Sequence, residues 1–127
     1  MELIWVAVGG ALGSLLRFFL NKFISDSLGN FFPMGVLVIN VVGSFVIGLS
    51  AGFLNSPKNE MFSDWLVPLV MIGICGGFTT FSSFSLQTWQ LFQAGEWFRA
   101  GLNIVLSVVL CIAATATGYW LTAPTRV

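Results

Sequence analysis

The groups able to do chemistry in this chain are few and mostly uncharged. Phe81 and Phe84 stand three residues apart in the stretch Gly73-Ile74-Cys75-Gly76-Gly77-Phe78-Thr79-Thr80-Phe81-Ser82-Ser83-Phe84-Ser85. That spacing puts both rings on one face of a helix, with the hydroxyls of Thr80, Ser83 and Ser85 close by. Asn40 is a lone carboxamide within Val36-Leu37-Val38-Ile39-Asn40-Val41-Val42-Gly43-Ser44, and Asn103, Ser107 and Cys111 follow one another at four-residue intervals. An aromatic ring is negative on its face and positive at its edge, so a ring turned edge-on receives a small anion. Amide and hydroxyl donors replace an anion's hydration shell piecemeal, without a fixed positive charge to trap it. Phe-x-x-Phe is ordinarily core packing. Here the pair abuts two adjacent glycines and two adjacent threonines, a poor prescription for continuous helix, and that favours an anion path.

Other chemistries are excluded by what is missing. Histidine is absent, no carboxylate lies inside an apolar span, and no glycine-rich phosphate loop follows a strand, so the chain is read as no enzyme. The formal net charge is zero and no basic run exists, which leaves nucleic acid without an electrostatic footprint. Cys75 and Cys111 lie inside apolar spans and read as small hydrophobes rather than a disulfide or metal pair.

The elements that position these groups are membrane spans. Of the 127 residues 57% are hydrophobic and 8% charged, far from the soluble range. Mean hydropathy is +0.93. Apolar runs of about twenty residues cross a hydrocarbon core of about 30 Å. Residues 1–127 therefore read as one integral membrane domain, all-α, with four transmembrane helices at about residues 3–20, 34–54, 65–93 and 97–121. The third is long and is expected to be broken at its centre. A helix opened at membrane depth frees carbonyls that lipid cannot satisfy, so they must face protein, water or an ion.

Gly9, Gly10 and Gly13 in the first span, and Ser44, Gly48 and Gly52 in the second, form small-residue faces for close helix contact. Residues 21–33 read as a polar turn with a short interfacial helix, and residues 55–64 as a solvent turn. Trp5, Trp65, Trp97 and Trp120 fall near span ends, where an aromatic belt places them. Arg17 reads either as a snorkelling anchor or as a cation drawing anions to a vestibule. Asn40 reads either as an interhelical hydrogen bond or as a pore-lining donor. Lys58 and Arg126 fall on one side and Lys22 and Arg99 on the other, with Arg17 at a helix end. Such a balance selects no orientation, so the chain is expected to insert both ways and pair as an antiparallel homodimer.

Taken together, Gly76-Gly77-Phe78-Thr79-Thr80-Phe81-Ser82-Ser83-Phe84-Ser85, Asn40 in its span, and Gly9-Gly10-Ala11-Leu12-Gly13-Ser14-Leu15-Leu16-Arg17 resemble the Fluc (CrcB) family of bacterial fluoride channels. The resemblance covers essentially the whole chain. It implies a dual-topology dimer in the bacterial inner membrane, with two antiparallel pores that passively release cytoplasmic fluoride. It implies that Phe81 and Phe84 present ring edges, that Asn40 is a fluoride-facing donor, and that Arg17 lines a vestibule. Thr80, Ser83 and Ser107 would complete the path, and the carbonyls of Gly76 and Thr79 from both chains would hold a central structural Na+. The family's Tyr-x-x-x-Ser-x-x-x-Ser track reads Asn103, Ser107 and Cys111 here, and its glutamate after the second phenylalanine is Gln87. The competing function is a small dual-topology multidrug exporter, which relies on an intramembrane acid that this chain lacks.

Overall fold

The computed structural model describes residues 1–124, which form helices joined by short links, with no strand among the described residues. Arg126, part of the charge balance above, lies outside the described residues. Helix α1 is Glu2–Leu28, 27 residues, and ends at Gly29, whose φ of 74° is left-handed and suited to glycine. The polar turn expected from residue 21 is corrected by this helix. Asn21, Lys22, Ser25 and Asp26 are polar but do not break a helix, and the chain leaves it only at Gly29. At about 1.5 Å per residue α1 is about 40 Å long, so its polar end reaches past the hydrocarbon or the helix tilts.

Helix α2 is Met34–Leu54. The expected solvent turn that follows is a 3₁₀ turn, Pro57–Phe62, and Asn59 Nδ2 donates to the Phe53 carbonyl at 2.9 Å, satisfying one of the orphan acceptors at the end of α2. Helix α3, residues 63–78, has three parts: Ser63–Leu66, a wide π-helical run Val67–Cys75, and a last α-helical turn Gly76–Phe78. Pro68 has no N–H to give the ladder, and the wider register begins beside it. Thr79 and Thr80 are extended, after which α4 spans Phe81–Gln93 and α5 spans Trp97–Thr122. Four stretches are long and apolar enough to cross a membrane, the third being Pro57–Gln93. The protein is a multi-pass membrane protein.

With no hydrophobic drive between helices in lipid, close backbone approach and hydrogen bonds must hold the bundle. A Cβ at Gly9 would collide with the Leu69 carbonyl, and one at Gly13 with the Ile74 carbonyl and the Phe78 amide, so α1 and α3 touch backbone to backbone. The second small-residue face does the same for α2 and α5. Gly48 meets the Thr115 carbonyl and Gly52 that of Tyr119, while Thr115 Oγ1 donates to the Ser44 carbonyl at 3.0 Å and Thr122 Oγ1 to that of Leu49 at 2.8 Å. Helix α4 packs more lightly, chiefly against α5, and Thr88 is its buried residue. Trp65, Trp97 and Trp120 are exposed and Trp5 half-buried, all near helix ends.

Candidate functional site

The site is built on the two extended residues. Thr79 has φ −77° and ψ 157°, Thr80 φ −153° and ψ 109°, conformations that β-branched side chains favour. The last ladder bond of α3 runs from Thr79 N–H to the Cys75 carbonyl, 2.9 Å, and Thr79 Oγ1 donates to the same oxygen at 2.8 Å. Thr80 then turns away. Its N–H donates to Asn40 Oδ1 at 2.8 Å, and Asn40 Nδ2 donates to its carbonyl at 3.1 Å. One carboxamide on α2 thus satisfies both the N–H and the carbonyl of a residue that has left the helix, and that two-point match fixes which way the amide points.

Thr80 also starts the next helix. Its Oγ1 accepts from Ser83 N–H at 3.1 Å, the usual N-cap bond, and donates to Ser83 Oγ at 3.0 Å, with Ser82 Oγ at 3.2 Å. Gly43, one turn from Asn40, lets α2 close against this link: a Cβ there would strike the Thr79 side chain. The consequence is electrostatic. The Gly76 carbonyl loses the Thr80 N–H that would continue its ladder, and the first-turn amides of α4 have no partner within their helix. A negative helix end and a positive one therefore meet at mid-span.

Asn40, Thr79, Thr80, Phe81, Phe84 and Ser107 line one mostly apolar groove of about 510 Å³, together with Gly76 and Cys111. The Phe81 and Phe84 rings lie 5.3 Å apart, tilted by 47°. Phe81 is 78% exposed, so one side of the groove is open in a single chain. Ser107 Oγ is buried with no hydrogen-bond partner among the described residues, which leaves a donor for a bound species. Arg17 and Ser83 are not on the groove wall. Arg17 is half-buried and its Nη1 points to the Thr79 carbonyl at 3.4 Å, while the Ser83 hydroxyl is engaged with Thr80.

A metal held here would need main-chain oxygens, because no cluster of three His, Cys, Asp or Glu exists among the described residues. Both thiols are free. Two contacts escaped sequence reasoning. Asn103 Nδ2 donates to Thr88 Oγ1 at 2.9 Å, a bond for which the only sequence signal is that a lone amide in an apolar span needs a partner. Arg99 stacks 3.4 Å over the Phe31 ring and lies 3.6 Å from Glu96, which accounts for that cation outside the site.

A family model described as CrcB-like protein, Camphor Resistance (CrcB), matches residues 4–119. The chain is 51% identical over 116 residues to the fluoride-specific ion channel FluC of Paramagnetospirillum magneticum, covering 90% of this chain and 89% of that one. It is 50% identical over 123 residues to the FluC of Rhodospirillum rubrum, covering 95% and 91%, and 45% identical over 119 residues to that of Methylocella silvestris, covering 94% and 91%.

Proposed function

The chain belongs to the CrcB family, and from that premise we propose that it is a passive, fluoride-selective channel that releases fluoride from the bacterial cytoplasm across the inner membrane. The observation that carries this reading is the groove at Thr79–Thr80, where an aromatic pair, a carboxamide, a buried unpaired hydroxyl and the positive end of α4 share one wall. Each offers a partial positive charge to an anion, and none is a full charge that would hold it too long. A small, strongly hydrated halide gains most from such close donors.

The active form we propose is a dual-topology antiparallel homodimer with two pores. Exposure of Phe81 and Gly76 supports it, since a second copy would complete the open side of the groove. A structural sodium ion between the copies suits the residues present. The Gly76 carbonyl is released from its ladder, no other element stands within 4 Å of a Cβ placed on Gly76, and the Thr79 carbonyl already draws the Arg17 guanidinium. Neutral carbonyl oxygens fit a hard monovalent cation. When bound, the ion would add a fixed positive charge that ties the two chains.

The test is fluoride efflux from liposomes, read with a fluoride electrode. Purified protein should release fluoride at least a hundredfold faster than chloride under the same gradient. Equal rates for the two halides would remove selectivity, and no flux above empty liposomes would remove the channel.

A further inference from the structure

Helix α4 carries both groove phenylalanines, yet little holds it in place. Thr88 is its buried residue, 6% exposed, and its Oγ1 donates to the Phe84 carbonyl at 2.7 Å while accepting from Asn103 Nδ2 at 2.9 Å. Asn103 on α5 is 2% exposed. We propose that Asn103 and Thr88 are positioning residues, a buried latch that fixes the rotation of α4 and so aims the Phe81 and Phe84 rings into the groove. This rests on the channel reading given above.

The register supports it. Phe81, Phe84 and Thr88 lie at spacings of three and four, hence along one stripe of α4, and Asn103, Ser107 and Cys111 form the facing stripe of α5. Phe84 and Ser107 line the groove together, and Thr88 meets Asn103 one turn further along both helices. Rotation about the α4 axis cannot move Thr88 out of its bond without turning the rings as well. The remaining hydroxyl on the Phe81 side, Ser85 Oγ, is spent on the Phe81 carbonyl at 2.9 Å and ties α4 to nothing else. Asn103 is absent from the groove wall and its amide is committed to Thr88, so it acts through Phe84 rather than on the ion.

A double-mutant cycle separates the two roles. Thr88→Val keeps the shape and deletes the hydroxyl, Asn103→Leu deletes the amide, and Thr88→Ser keeps the hydroxyl. In fluoride efflux from liposomes, each of the first two should lower the fluoride-to-chloride rate ratio about fivefold, the scale of one interhelical hydrogen bond in a membrane. The double variant should fall no further than either single one, and Thr88→Ser should stay within twofold of the parent. Thermal unfolding in detergent is followed alongside, so that a drop in ratio is read only from folded protein. Losses that multiply in the double variant would make Asn103 an independent part of the path and overturn the latch, as would an unchanged ratio in both single variants. A parent that carries no fluoride would instead sink the channel reading itself.

Discussion

Asn40→Asp asks whether an anion passes the carboxamide or whether Asn40 only ties two helices. The introduced carboxylate still accepts from Thr80 N–H, the 2.8 Å bond, but loses the donor to the Thr80 carbonyl and adds a full negative charge to the groove wall. A sphere with the groove's volume of about 510 Å³ has a radius of about 5 Å, so an ion at its centre lies about 5 Å from that charge. At an effective dielectric of about 20 the repulsion is about 3 kcal/mol. With about 1.4 kcal/mol per factor of ten, fluoride efflux at neutral pH should fall between a hundredfold and a thousandfold. The assay is liposome efflux at pH 7.5, with thermal unfolding confirming a folded variant. Efflux within twofold of the parent at pH 7.5 would show that the ion does not pass Asn40.

Phe81→Ile and Phe84→Ile keep bulk and delete the polar ring edge, so each should cut fluoride efflux at least tenfold, and unchanged efflux in both would return the pair to packing. Gly13→Ala should lower the thermal midpoint in detergent, by a free energy of about 1–3 kcal/mol, because the added Cβ meets the Ile74 and Phe78 backbone. Gly10→Ala, with nothing within 4 Å of its Cβ, should be neutral, and equal effects would contradict the backbone contact between α1 and α3. C-terminal reporters for the two compartments should both give signal if the chain inserts both ways; a one-sided signal would refute dual topology. Replacing sodium by a bulky organic cation during purification should weaken the dimer on size exclusion, and an unaltered dimer would argue against the carbonyl-bound ion.

Much of this architecture was legible because apolar run length is a strong signal: Met34–Leu54 matches the span read from sequence, and α5 differs from its expected end by one residue. The end of α1 was hidden because polarity marks exposure, not helix termination, and Asn21, Lys22, Ser25 and Asp26 are polar without being breakers. The sequence drew attention to the paired glycines of α3, yet Gly76 and Gly77 are helical and the extended residues are Thr79 and Thr80. The partner that meets this link is Asn40, forty residues away, whose amide takes both backbone groups of Thr80. Neither reading of Asn40 from sequence excluded the other, and it both bonds across helices and lines the groove. The π-helical run Val67–Cys75 begins beside Pro68, whose missing N–H is its one mark in the sequence and does not by itself tell a widened turn from a kink. Thr88 could not be singled out among the hydroxyls of α4, because its role depends on which turn of α5 lies opposite.

Current across a planar bilayer tests the central claim most directly. With a tenfold fluoride gradient and equal chloride on both sides, a passive fluoride-selective path predicts a zero-current voltage of about 59 mV, the value for one charge per ion. Exchanging the two halides should bring that voltage close to zero. A voltage that follows chloride as well as fluoride, or that shifts with a proton gradient, would contradict the account.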